Sequence, residues 1–222
     1  MVIIMELKNK KINFLGDSIT EGVGTTGKEH IFLNVIGNNE SAVCRNYGIS
    51  GTRIARQQNK EPNNPFDNDF CARFPEMDKD ADIVVVFGGT NDFGHGDAPI
   101  GNPEDRTPDT FYGALHTLYS GLITMYPESV IMVMTPLHRC NEDNPRGDGG
   151  KPENVGTLKK YVDIIREVAE FYSLPVLDLF ALSGLQPRVP VIQEKYIPDG
   201  LHPNDAGHKI IASKLTAFLK AL

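Results

Sequence analysis

The chain is poor in cysteine. Cys44, Cys71 and Cys140 are the only three, and no two stand in CxxC spacing. An odd set placed this way gives neither a disulfide framework nor a zinc site. Cys44 and Cys71 read as small buried apolar residues, while Cys140, in a polar loop, is the candidate for a reactive thiol. Long apolar runs are missing as well. Met1 to Met5 is far shorter than a signal-peptide core, and Lys8, Lys10 and Lys11 follow it on the wrong side. No later run approaches the ~20 apolar residues of a membrane span, so a cytoplasmic protein is expected. Basic charge is also scarce, with 22 Lys and Arg against 29 Asp and Glu and a net charge of −7. Nothing resembles the basic stripe of a nucleic-acid binder, and the acidic excess serves solubility.

What is present suits one domain over residues 1–222. A chain of this size buries roughly 70–75% of its unfolded surface and needs no covalent or metal staple. Strand-like runs recur at Lys11–Leu15, Ala42–Asn46, Ile83–Phe87, Val130–Met134 and Val176–Leu179. They are short, rich in Val and Ile and nearly unbroken, as in strands buried on both faces. Between them lie helical patterns. From Asp109 to Tyr126 one face carries Phe111, Leu115, Leu118, Leu122 and Met125, with Thr107-Pro108 as N-cap and first residue. A second stripe runs from Leu158 to Tyr172, and a last helix begins near Pro203. Strands alternating with helices predict an α/β three-layer sandwich. Its centre is a five-stranded parallel sheet in the flavodoxin-like order 2-1-3-4-5. Two long loops, Phe93 to Arg106 and Pro136 to Pro152, serve either as solvated surface or as pocket walls.

One stretch organises the chain: Ile12-Asn13-Phe14-Leu15-Gly16-Asp17-Ser18-Ile19-Thr20-Glu21-Gly22. Its apolar run ends abruptly, so Ser18 falls just past the carboxyl end of the first, central strand, where open α/β sheets place their chemistry. In the order 2-1-3 the loops after strands two and three flank it. They read Asn46-Tyr47-Gly48-Ile49-Ser50-Gly51-Thr52 and Gly88-Gly89-Thr90-Asn91-Asp92. Glycines let backbone approach a ligand, and Asn91 adds an amide donor. The N–H groups of Ser18 and Gly51 and the Asn91 amide could thus converge on the oxyanion of an acyl transfer.

Of six histidines, His116 and His208 fall inside helices. His30, His95 and His138 lie in or beside loops without an evident fixed carboxylate. His202 differs, because Pro198-Asp199-Gly200-Leu201-His202-Pro203 sets Asp199 three residues before it. At that spacing the carboxylate can hold one imidazole nitrogen while the other faces a nucleophile. Pro203 suits the first helical position, which would put His202 at a helix N-terminus.

These four places together resemble the SGNH hydrolases, the GDSL esterase/lipase family. The matching blocks are Gly16-Asp17-Ser18, Gly51, Gly89-Thr90-Asn91-Asp92 and Asp199-Gly200-Leu201-His202. Ile19 stands where the signature has Leu. The resemblance implies a serine esterase without cofactor or metal. Ser18 would be the nucleophile, His202 the base and Asp199 its orienter, with Ser18, Gly51 and Asn91 as oxyanion hole. It also implies a small-molecule ester as substrate, including lysophospholipids and thioesters in the family's range. The elbow Gly-x-Ser-x-Gly of α/β-hydrolases is absent, since Thr20 takes its last position.

Two rivals use the same residues less well. Gly22-Val23-Gly24-Thr25-Thr26-Gly27-Lys28 fits the phosphate-loop pattern GxxxxGK, but Glu29 stands where a Ser or Thr must reach Mg²⁺. A flavodoxin-like FMN-binding module explains the fold and leaves Asp199 and His202 idle. Both long loops are hydrophilic and offer no apolar lid, which points to a short acyl group, acetyl on a carbohydrate being the expectation.

Overall fold

The computed structural model describes residues 5–61 and 63–222. Of the apolar amino-terminal stretch, only Met5 lies among them. In chain order the elements are β1 (Lys11–Gly16), α1 (Ser18–Glu21), α2 (Phe32–Glu40), β2 (Val43–Gly48), α3 (Phe70–Arg73), β3 (Ile83–Phe87) and α4 (Thr90–Gly94). Then follow α5 (Phe111–Met125), β4 (Val130–Met134), α6 (Leu158–Phe171), β5 (Val176–Leu177), α7 (Leu179–Leu182), α8 (Pro190–Tyr196) and α9 (Asp205–Ala221). The five strands pair in parallel in the order β2-β1-β3-β4-β5, as expected.

Strand alternation divides the core in two. From β3, Ile83, Val85 and Phe87 point to one face, where Phe32 and Ile36 of α2 and Ile211 and Leu215 of α9 meet them. Val84 and Val86 point to the other, against Leu115 and Leu118 of α5 and Tyr161 and Ile165 of α6. All five residues of β3 are buried, whereas β2, at the sheet edge, is half exposed along its length. Within the first layer His208 is fully buried and stacked on Phe32, its Nδ1 accepting the Phe32 N–H at 3.2 Å. Burial pulls its pKa down to about 4, so the ring stays neutral.

The structure corrects several boundaries. β5 stops at Leu177 because the Asp178 carboxylate caps α7 through the Ala181 N–H, which turns Leu179 into a helix residue. α5 begins at Phe111, with Thr110 rather than Thr107 as N-cap; the Thr110 hydroxyl accepts the Gly113 N–H at 3.1 Å. α9 begins at Asp205 because Asn204 accepts the N–H groups of Ala206 and Gly207. Pro203 is therefore outside the helix. An N-cap of this kind contributes about 1 kcal/mol, enough to decide among neighbouring start sites of similar propensity. Cys71 is buried as expected, but Cys44 on the edge strand is only half-buried and Cys140 is exposed. Among the described residues no helix is long and apolar enough to cross a membrane.

Candidate active site

β1 delivers its chain into a one-turn helix. A Cβ on Gly16 would stand 2.0 Å from the Thr20 hydroxyl, so only glycine lets the chain fold back there. Asp17 caps α1 by accepting the Ile19 N–H at 3.1 Å. Gly22, at φ 109°, closes the turn in a conformation that L side chains avoid. Ser18 is the first residue of this turn, 6% exposed, at the carboxyl end of the central strands.

Burial pushes the Asp17 carboxyl up to about 7; the Ile19 N–H opposes this, the neighbouring Asp92 charge adds to it, and Arg73 works against it. Asp17→Asn keeps the capping oxygen and removes the charge. The folded carboxyl holds its proton to about 7. An unfolded one releases it near 3.9, so the parent loses stability as pH rises through that window. Asp17→Asn is therefore expected to be more stable than the parent by about 2–4 kcal/mol at about pH 8 and equal to it near pH 4. Urea unfolding at both pH values measures this, and equal destabilisation at both contradicts it.

Ser18 Oγ lies 3.0 Å from His202 Nε2, and His202 Nδ1 lies 2.7 Å from Asp199 Oδ2. With Nδ1–H donating to the carboxylate, Nε2 is left as acceptor for the serine hydroxyl. The i,i+3 spacing works, though through a turn rather than a helix end. Asp199 Oδ1 accepts the N–H groups of Leu201 at 2.8 Å and His202 at 2.7 Å, and Gly200 takes φ 79° between them. Partial burial works to raise the Asp199 carboxyl. The hydrogen bonds from the His202 N–H, its ring and the Leu201 N–H outweigh it and hold the group below the usual carboxylate range.

The two flanking loops join the same place. Gly51 has φ 72°, and a Cβ there would come within 2.8 Å of the Phe66 ring. Asn91 lies in α4, not in a loop. Its Nδ2 donates to Thr52 O at 3.0 Å, which leaves the second amide hydrogen free for another acceptor. The Asp92 carboxylate accepts the N–H groups of Ile54 and Ala55, each at 2.9 Å. Ile49 N donates to Gly16 O at 3.2 Å, which ties the loop after β2 to the end of β1. Among the described residues the N–H groups of Ser18 and Gly51 have no protein acceptor.

Side chains that carry no motif brace this arrangement. Lys151 donates to Asp92 O and Gly96 O, both at 2.6 Å, at the carboxyl end of α4. Arg139 reaches Thr90 O at 3.2 Å. Part of the second long loop is thus buried against the helix that bears Asn91. In sequence these two cations look like any charged loop residues. Two other histidines do have carboxylates nearby, against expectation. His138 Nδ1 is 2.8 Å from Glu142, and His30 is 3.5 Å from Glu29 and 3.7 Å from Asp205.

The GxxxxGK stretch serves the same neighbourhood. A Cβ on Gly24 would stand 2.4 Å from Pro203 O, and Thr26 donates its N–H and hydroxyl to Asp205 at 2.8 and 2.6 Å. Its donors hold the start of α9 beside His202.

The GDSL-like lipase/acylhydrolase family matches residues 14–210, a span that takes in Ser18, Gly51, Asn91, Asp199 and His202. Among solved structures, a Lactobacillus plantarum protein is 31% identical with a TM-score of 0.81, covering 96% of this chain and 97% of its own. A candidate GDSL-like lipase from Bacteroides uniformis shares the fold at 19% identity and TM-score 0.70, covering 96% and 97%. A two-domain esterase active on acetylated mannans does so at 20% identity and TM-score 0.60, covering 96% of this chain and 48% of its own. No curated protein matches. A family match across nearly the whole chain, joined to the predicted sheet order and to a serine, histidine and aspartate in hydrogen-bond sequence, makes this chain a member of the GDSL-like lipase/acylhydrolase family, hydrolases that act on esters.

Proposed function

We propose that the protein is a serine esterase for short-chain carboxylic esters, acetyl esters on carbohydrates being the preferred class. The carrying observation is the hydrogen-bond chain from Ser18 Oγ through His202 to Asp199, with links of 3.0 and 2.7 Å. These distances are already those of general-base catalysis. Ser18 attacks the ester carbonyl as His202 Nε2 takes its proton, and Asp199 keeps the ring in the required tautomer and stabilises the imidazolium. The N–H groups of Ser18 and Gly51 and the Asn91 amide receive the negative charge on the carbonyl oxygen. The imidazolium then protonates the departing alcohol. Water activated by the same ring releases the acyl group and regenerates Ser18.

Two observations support a short acyl group. Loops 93–106 and 136–152 are built from charged and polar residues with glycine and proline. In the second loop Arg139, Asp148 and Lys151 donate to Thr90 O, Gly94 O and Asp92 O, which ties that loop down as a wall and not an apolar lid. The activity of one structural neighbour on acetylated mannans is consistent with this choice. With p-nitrophenyl esters of graded chain length, kcat/KM is expected to be highest for acetate and to fall steadily towards decanoate. Faster turnover of decanoate than acetate would replace this substrate class with lysophospholipids or long-chain thioesters.

A further inference from the structure

Arg73, the last residue of α3, lies outside every motif in the chain and is 7% exposed. Four of its five N–H groups are engaged. Nη2 donates to Gly16 O and to Thr52 Oγ1, both at 2.9 Å. Nη1 donates to Tyr47 O at 2.6 Å and Nε to Asn68 O at 3.0 Å. The acceptors are three carbonyls and one hydroxyl, all neutral, and the guanidinium rests over the Phe70 ring, 4.9 Å from its centroid. Burying a cation against neutral acceptors is expensive, and a surface position would avoid the expense.

The identity of the acceptors explains the placement. Gly16 O closes β1, two residues before Ser18. Tyr47 is one residue from the end of β2, and Thr52 follows Gly51 directly. The Thr52 carbonyl also takes the Asn91 amide at 3.0 Å, and its hydroxyl donates to Ile49 O at 2.7 Å. One planar fork therefore spans the backbone leading to Ser18 and the Gly51-Thr52 turn, and Thr52 in turn holds the Asn91 amide. We infer that Arg73 is the positioning residue of the oxyanion hole, fixing the Gly51-Thr52 turn, and Asn91 through it, relative to Ser18. This rests on the esterase reading above. The full positive charge behind the loops acts in the same direction, because the transition state gathers negative charge in front of them. Arg73 touches no reacting atom in this scheme. Burial pulls its pKa down to about 10, while Asp17 and Asp69 nearby oppose the shift, so the group remains charged at neutral pH.

The test is steady-state kinetics on p-nitrophenyl acetate with Arg73→Lys, Arg73→Met, Thr52→Val and Thr52→Ser, each checked for native circular dichroism and melting. A lysine keeps the charge and loses the fork. Misplacing donors that act in the transition state lowers kcat and leaves ground-state binding alone. Arg73→Met is expected to lose about 10²-fold in kcat and Arg73→Lys about tenfold, with KM within about threefold of the parent. Thr52→Val is expected to lose about tenfold in kcat, and Thr52→Ser, which restores the hydroxyl, to return close to the parent rate. Should Arg73→Met fail to fold, the Thr52 pair decides. Folded Arg73 variants with parent kcat and only a lowered melting temperature would overturn the inference, as would equal rates for Thr52→Val and Thr52→Ser. Ser18→Ala is run in the same assay. If it retains activity, the esterase reading itself falls, whereas its inactivity beside fully active Arg73 and Thr52 variants removes only the role of Arg73.

Discussion

Ser18→Ala is expected to lower kcat/KM for p-nitrophenyl acetate by about 10⁴–10⁶-fold while leaving the fold intact. The size of the effect follows from what is removed. The Ser18 hydroxyl lies 3.0 Å from His202 Nε2, so in the proposed mechanism its loss takes away the nucleophile and leaves the base without a proton to accept. The proposed oxyanion donors are untouched by the substitution, and triads of this type retain about 10³–10⁴-fold over water when a member is deleted. Stability should barely move, because the cap of α1 belongs to Asp17 and the serine side chain is small. Melting within about 2 °C of the parent together with the activity loss separates chemistry from folding. A variant that hydrolyses the ester at the parent rate would end the assignment.

His202→Ala is expected to cost nearly as much, again about 10⁴–10⁶-fold, and the double variant with Ser18→Ala to be no slower than either single one. Groups that act as a unit lose their joint contribution once, so multiplying the two losses would overstate it. Asp199→Asn keeps a hydrogen-bonding side chain and loses the charge that favours the working tautomer, a change worth about 10⁴-fold in comparable triads. Additive losses in the double variant, or an Asp199→Asn enzyme with the parent kcat/KM, would show that the three residues do not work together.

The sheet order and the meeting of Ser18 with His202 were legible because each rests on a strong local signal. The strands are short Val- and Ile-rich runs, with Ile83–Phe87 and Val130–Met134 matched to the residue. Gly16-Asp17-Ser18 is an abrupt break after such a run, and Asp199 and His202 carry their spacing with them. Helix starts were less legible. Thr107, Thr110, Pro203 and Asn204 all have starting chemistry, and the choice falls on whichever oxygen the tertiary packing lets reach the next N–H groups. The bracing of the site was hidden. Arg73, Arg139 and Lys151 are cations that each donate to a main-chain oxygen far away in sequence, and nothing in residue type or spacing announces such a contact.

The most direct test of the central claim is covalent labelling with a p-nitrophenyl alkylphosphonate. An activated serine attacks the phosphorus and keeps a stable adduct whose oxygen occupies the oxyanion hole. Peptide mass spectrometry is expected to find one label per chain, on Ser18, formed at a rate that falls when His202 is replaced by alanine. A chain that stays unlabelled, or that carries the phosphonate at another residue while Ser18 is unmodified, would contradict the account.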